Sequence, residues 1–471
     1  MPKKNILRSK STTTSRIINS YNNNIEKKNY TFCYYVSGHG FGHATRVVQV
    51  ASEILSLSRK HTLYIVSNAP RFIFQGAIDK GACYRHALID AGVQQPRAYT
   101  VDRHRTIDDL EIFLENRPEM IKREVDWLKE VKADIVLSDA PFLPCAAASI
   151  AGIPSAIVSN FTFDAVYSGL CEGDELDLRI KKLVEQVVED YKKSELLIRL
   201  PGYIPLPSFA STKLYPESKT DELIRSNGYH HNVNDHTNND GHNRRQVIDV
   251  PLVVRKSKTP RDVVLKNLGI PEEIFKTHKV LMVSFGGQNL VGMEEWGSPL
   301  PDNWIAIVCG SSFDKLPENF YNCPKDAYIP DLTNAADAVI GKLGYGTCSE
   351  CIGHSKPFIY VPRPQFIEEL GLRKLMEFQG SSLEMPKEKF ERGEWKTYIL
   401  EAYNMSKNIN NNHNSRIKKL KHNGVQNQEI LGWHGVVQLL RIKQEISQMN
   451  KSEIAQSSTL RCLQCRIWIN R

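Results

Sequence analysis

The stretch "YYVSGHGFGHATRVVQVASEIL", residues 34–55, passes within a few positions from an aromatic, β-branched run through a bend of glycine and histidine into a helical pattern. "TFCYYVS" (31–37) reads as a strand. "ATRVVQVASEILSLSRK" (44–60) reads as a helix with Val47, Val50, Ala51, Ile54 and Leu55 on one face. A strand that turns through glycines into a helix brings free backbone N–H groups and the positive helix end to one spot, which suits an anion. The dinucleotide fingerprint requires G-x-G-x-x-G and an acid closing the second strand. Here the spacing is G-x-G-x-G and the second strand closes "VSNAP". No G-K-[ST] follows the glycines, so a Walker loop is excluded too. Gly38, His39, Gly40, Gly42 and Arg46 are therefore the candidate acceptor or phosphate loop. His43 falls at the helix start, at the carboxyl end of the first strand, where open parallel sheets bind ligands. A neutral imidazole there is a candidate general base.

Working outward, "TLYIVSN" (62–68), "DIVLSD" (134–139) and "SAIVSN" (155–160) read as further strands. Between them lie a long helical segment (106–134), which Pro118 is expected to break in two, and the small-residue helix "FLPCAAASIAG" (142–152). Apolar strands alternating with helices imply a parallel sheet covered on both faces. The alternation pauses after about residue 200, at "PGYIPLPSF" (201–209), and a polar Asn/His-rich stretch follows. Its histidines are read as low-complexity linker rather than metal ligands. Order resumes at "VIDVPLVVR" (247–255). A second alternation starts at Lys279 with "KVLMVSFGG", "WIAIVCG", "DAYIP", "AADAVIGKLG" and "KPFIYVPR", and a final helix is expected at 428–446. The reading is α/β, with two Rossmann-like βα domains. Their expected bounds are a disordered basic tail at 1–29, a first domain at 30–210, a low-complexity insertion at 211–247, a second domain at 248–445 and a disordered tail at 446–471.

The second half repeats the glycine turn. Gly286 and Gly287 close its first strand, and Gly344 and Gly346 precede a helix whose first turn carries Thr347 and Ser349, then Glu350. Glycine turns with a hydroxyl at a helix start suit a diphosphate, and Glu350 lies where a carboxylate can take the two hydroxyls of a ribose. Charge agrees with this small-molecule reading. Residues 1–30 hold seven Lys/Arg against one Glu, and residues 451–471 hold four against one, so the body is nearly neutral although the net charge is +8. No specific nucleic-acid partner is expected of the folded part. Ten cysteines in so long a chain suit a reducing compartment. The two C-x-x-C pairs, Cys348/Cys351 and Cys462/Cys465, have no further ligands at zinc spacing, so no metal is expected. No apolar run approaches the ~18–20 residues of a membrane span and no secretory h-region is present, which leads to a cytoplasmic expectation.

Eight blocks occur in order: "GHGFGHATRVV", "YTVDRHR", "EVDWLKEVKADIVLSD", "LLIRLPGYIPLPSF", "VIDVPLVVR", "SFGGQ", "DAYIPDL" and "GKLGYGTCSE". Together they resemble the N-terminal, glycosyltransferase-like half of plant-type L-arabinokinases, from about Tyr30 to Arg441. More distantly the chain resembles the GT-B transferases that add N-acetylglucosamine to the bacterial lipid-linked cell-wall precursor. The resemblance implies the GT-B fold, in which two βα domains face each other across a cleft. It implies a nucleoside-diphosphate sugar, expected to be a UDP-sugar, as donor substrate, with no cofactor and no metal. Gly344, Thr347, Ser349 and Glu350 fall on the family's G-x-x-T-x-S-E donor motif, and Gly40, Gly42 and His43 on its glycine–histidine loop. Glu368 and Glu369 fall where the family places residues contacting the donor sugar. Asp139 is then the partner of His43 or an alternative base. The sequence departs from the arabinokinases in lacking the phosphate loop of their sugar-kinase half, so no kinase activity is expected. The alternative to transfer is a non-catalytic nucleotide-sugar-binding or regulatory module.

Overall fold

The structure, a computed structural model, describes residues 29–39, 41–57, 60–96, 100–209, 245–286, 299–310, 316–324 and 326–407. Gly40, Gly287, most of the Asn/His-rich stretch, the expected final helix and both tails lie outside these residues.

Strands β1 (Thr31–Val36), β2 (Thr62–Ser67), β3 (Cys83–His86), β4 (Ile135–Asp139), β5 (Ser155–Ser159), β6 (Leu196–Arg199) and β7 (Gln246–Asp249) form the first sheet, in the order β3-β2-β1-β4-β5-β6-β7. Strands β8 (Lys279–Ser284), β9 (Trp304–Cys309), β10 (Phe320–Asn322), β11 (Ala338–Gly341), β12 (Phe358–Tyr360) and β13 (Ser382–Glu384) form the second, in the order β10-β9-β8-β11-β12-β13. Every strand pair in the two sheets, among the described residues, is parallel. The apolar runs explain why. Side chains alternate across a strand, so in β1 Phe32, Tyr34 and Val36 enter one buried cluster while Cys33 and Tyr35 enter another. Only a sheet covered on both faces accepts such a strand. Counted from its own first strand, the second sheet reads 3-2-1-4-5-6 and the first reads the same with a seventh strand added at the end. The order therefore reverses between β1 and β4 and again between β8 and β11, where such folds open a crevice at the strands' carboxyl ends.

The structure differs from the sequence reading at four places. The long helix runs unbroken from Arg103 to Glu130 with Pro118 inside it. Pro118 is exposed, so the carbonyl it frees is solvated, while Phe113, Met120 and Ile121 hold both sides of it in the core. Gln246–Asp249 pairs with β6, which puts the start of the ordered segment after the insertion in the first sheet rather than the second. "DAYIP" is not a strand: its last two residues open the helix Ile329–Ala335. The second sheet instead gains β10 and β13, three residues each and too short to leave a period-2 signal.

The halves are packed together. The helix Phe41–Leu57 meets the helix Tyr345–Gly353, and one buried cluster runs through residues of both sheets. A second junction is closer. A Cβ at Gly371 would lie 2.4 Å from the Gly202 carbonyl oxygen and 2.5 Å from that of Tyr203. Among the described residues no helix is long and apolar enough to cross a membrane.

Candidate functional site

A cleft of about 810 Å³ opens where the carboxyl ends of the two sheets face each other. His43 and Arg46 line it from the first half; Gly286, Lys342, Gly344, Thr347, Glu350 and Glu368 line it from the second. The loop after β1 and the loop after β11, 300 residues apart in the chain, thus share one space.

On the first side, β1 ends one strand away from β4, so the helix starting at Phe41 carries His43 to the fully buried Asp139. His43 Nδ1 lies 2.9 Å from Asp139 Oδ1. Arg46, one helical turn on, donates from Nε to Asp139 Oδ2 at 2.6 Å and from Nη2 to Oδ1. It also donates to Asn160 Oδ1 at 2.6 Å and to Ser159 Oγ at 3.0 Å. Burial alone raises a carboxyl's pKa; here Arg46, with help from His43, outweighs it and holds Asp139 below the usual carboxylate range. Two groups meet His43 Nδ1: the ionised carboxylate at 2.9 Å favours a proton there, and the donor Arg46 Nη2 at 3.2 Å opposes it. The shorter contact, to the full negative charge, favours the Nδ1–H tautomer. Nε2 then keeps the lone pair. Phe161 packs edge-on against the imidazole, with centroids 5.2 Å apart. The Arg46 guanidinium also lies 4.8 Å from the Tyr345 ring centroid, and the Tyr345 hydroxyl accepts from the Val253 N–H at 3.1 Å. The proton-handling group is thereby tied to the first residue of the facing helix.

On the second side, Lys342 extends from the end of β11 and runs beside Gly286, whose φ is +68°. Its Cε lies 3.3 Å from where a Cβ at Gly286 would stand. No carboxylate of the described residues sits within ion-pairing distance of it. Desolvation, with the Arg363 charge nearby, lowers its pKa to about 7. Next to it begins the helix Tyr345–Gly353, with its first-turn N–H groups free of side-chain caps. Glu350 is buried and accepts from Arg255 Nε at 2.9 Å and from Thr333 Oγ1 at 3.3 Å.

Several residues singled out in the sequence have structural surroundings of their own. Gly38 faces away from the cleft: a Cβ there would stand 2.6 Å from Asn68 Cγ and 2.8 Å from the Ala69 nitrogen, so packing demands the glycine. Gly42 and Gly344 have nothing within 4 Å of that position, and Gly346 only Thr45 Oγ1 at 3.5 Å. Ser349 is buried and donates to the Gly346 carbonyl at 2.9 Å, within its own helix. Glu369 is buried on Arg363, accepting its N–H at 2.9 Å, whereas Glu368 reaches the cleft and accepts from Arg363 Nη2 at 3.1 Å. Arg46 lines the cleft with its guanidinium engaged by Asp139. His39 does line the cleft, with Nε2 3.2 Å from the fully buried Asp90. Lys342, Arg255 and Asn160 escaped the sequence reading. Lys342 stands inside "GKLGYG", and its place at the end of an apolar strand was the available signal.

Two parallel βα sheets facing one another across this cleft are the GT-B glycosyltransferase fold. Solved structures agree: UGT89C1 of Arabidopsis thaliana, complexed with quercetin, superposes with a TM-score of 0.54 over 88% of this chain and 100% of that one, at 11% identity. The glycotransferase of kitacinnamycin superposes with a TM-score of 0.52 over 88% of this chain and 99% of that one, at 14% identity. In sequence the chain is similar to L-arabinokinase of Arabidopsis thaliana, 38% identical over 381 residues. That match covers 80% of this chain and 32% of the relative, so the chain spans about a third of the length of the curated protein it matches. No family model matches.

Proposed function

We propose that this protein transfers a sugar from a nucleoside-diphosphate sugar, a UDP-sugar in the first instance, to a hydroxyl acceptor, without a metal ion. The observation that carries the reading is the sharing of one cleft by an imidazole held on a buried carboxylate and a lysine, just before a helix start, that has no ion-pair partner among the described residues. His43 Nε2 takes the proton of the acceptor hydroxyl, and the oxygen attacks the anomeric carbon as the bond to the diphosphate breaks. The proton leaves the acceptor for the imidazole, and Asp139 holds the resulting imidazolium in place. The diphosphate leaves toward Lys342 and the N–H groups of the Tyr345–Gly353 helix, which carry the charge a divalent ion carries in other transferases. Glu350, held through one oxygen by Arg255 and through the other by Thr333, turns its remaining lone pairs to the ribose. Arg46 shares Asp139 with the imidazole and fixes the carboxylate that orients it.

The test is to incubate the full chain with a panel of nucleotide sugars and follow both binding and release of the nucleoside diphosphate. The expected result is saturable binding of one donor with slow hydrolysis or transfer, lost in His43→Ala while binding persists. Binding without turnover in the native chain overturns the transfer step and leaves a nucleotide-sugar sensor.

A further inference from the structure

Cys309 ends β9, and Cys323 directly follows β10. The register that sets Asn322 beside Val308 continues by one residue, placing Cys323 beside Cys309, and the Cys323 N–H donates to the Val308 carbonyl at 2.9 Å. Neighbouring strands lie about 4.8 Å apart, within the roughly 4.4–6.8 Å between Cα atoms that a disulfide spans. Both cysteines are buried against the protein, yet both line the cleft. Cys309 is also the register partner of Ser284 on β8, so the sulfurs stand in the same row of strand ends as Gly286.

Their chemistry is asymmetric. The interaction between the two sulfurs holds Cys323 below the ordinary thiol range and, with burial, pushes Cys309 well above it, while Cys323 Sγ also lies 3.3 Å from the Pro324 carbonyl oxygen, to which its S–H donates when protonated. One sulfur is thereby the nucleophile and its neighbour the resolving thiol. Burial pushes the thiols of Cys33, Cys145, Cys348 and Cys351 up, and none of them lines the cleft.

We propose that Cys309 and Cys323 are a peroxide-oxidisable dithiol in the cleft wall, whose disulfide reshapes the cleft's second side and weakens nucleotide-sugar binding. The Cys323 thiolate attacks one peroxide oxygen; the O–O bond breaks and the departing hydroxide takes a proton to become water. The sulfur of Cys309, losing its proton, then displaces the sulfenic oxygen as a second water and forms the S–S bond. Two thiols are oxidised and one peroxide is reduced. Cys323 leads directly into Pro324 and the wall carrying Tyr328. The ring of Tyr328 has Lys258 Nζ 4.6 Å from its centroid and the Arg255 guanidinium 5.7 Å away, and Arg255 holds Glu350. Drawing the sulfur of Cys323 toward β9 therefore moves the support of Glu350. The effect on donor binding rests on the function proposed above; the disulfide does not.

The experiment treats the full chain with graded hydrogen peroxide, alkylates the remaining thiols after unfolding, and maps the peptides, with UDP as the binding probe. The expected product links the peptides containing residues 309 and 323, two hydrogens lighter and reversed by dithiothreitol. It forms before Cys33, Cys145 or Cys348 changes, and UDP affinity falls at least tenfold and returns on reduction. Cys309→Ser should leave a sulfenic acid on Cys323 that dimedone traps; if that variant does not fold, the map of the native chain decides. Cys309 and Cys323 still alkylated after the other thiols are consumed, or linked to different partners, overturns the proposal. The 309–323 link with unchanged UDP affinity overturns its effect on binding. Native chain that binds no UDP while the link still forms counts against the donor reading and leaves the dithiol standing.

Discussion

The crevice between β1 and β4 and the crevice between β8 and β11 are the same feature of the same strand order, used for opposite electrostatics. In the first, every charge is answered: Asp139 is held by Arg46 and His43, and Arg46 by Asp139, Asn160 and Ser159. In the second, Lys342 stands half-buried with no carboxylate of the described residues at ion-pairing distance, and desolvation lowers its pKa to about 7. Topology chooses where a ligand goes. Side chains decide whether that place moves a proton or receives an anion.

The comparison breaks most visibly at His43. His43→Ala should cut turnover roughly 100- to 10,000-fold while nucleotide affinity stays level, since the imidazole acts on the acceptor; parallel calorimetry and product-release assays check both halves. Next in size is stability. Asp139→Ala leaves the buried Arg46 charge uncompensated and should cost about 3–5 kcal/mol in urea unfolding. Lys342→Met, the matching change at the other crevice, removes a desolvated charge and should leave stability equal or higher. The same Lys342→Met variant should bind UDP about 10- to 100-fold more weakly, the loss of one charge-assisted contact. A smaller effect is expected from pH. Lys342 is charged below its pKa of about 7 and loses its charge above it. UDP affinity in the native chain should therefore fall as pH rises through 7, by up to about tenfold per unit, and Lys342→Met should flatten that slope. The smallest effect is none: EDTA should leave the transfer rate unchanged if lysine and helix terminus supply the charge.

Much of the fold was legible in the chain because its strands are continuous apolar runs bounded by glycine turns. β1 and the helix after it follow from residues 31–57 alone. What stayed hidden depends on distance in space. β7 is adjacent in sequence to the second half, yet only its pairing with Leu196–Arg199 across a long insertion reveals its sheet. Pro118 reads as a break because local propensity carries no knowledge of the core on either side of it. His43 and Glu350 were recognisable from spacing, and the structure brings them into one cleft. The acid partner of Arg46 stayed hidden because it is 93 residues away. Lys342 went unread because the burial that desolvates it exists only in the folded cleft.

The contact at Gly371 has a mechanical consequence. With two carbonyl oxygens of the opposite half standing where a methyl group would go, any side chain at that position acts as a doorstop. A Gly371→Ala protein should fold each half and yet hold the pair ajar at this junction, leaving the gap between the halves permanently propped wider.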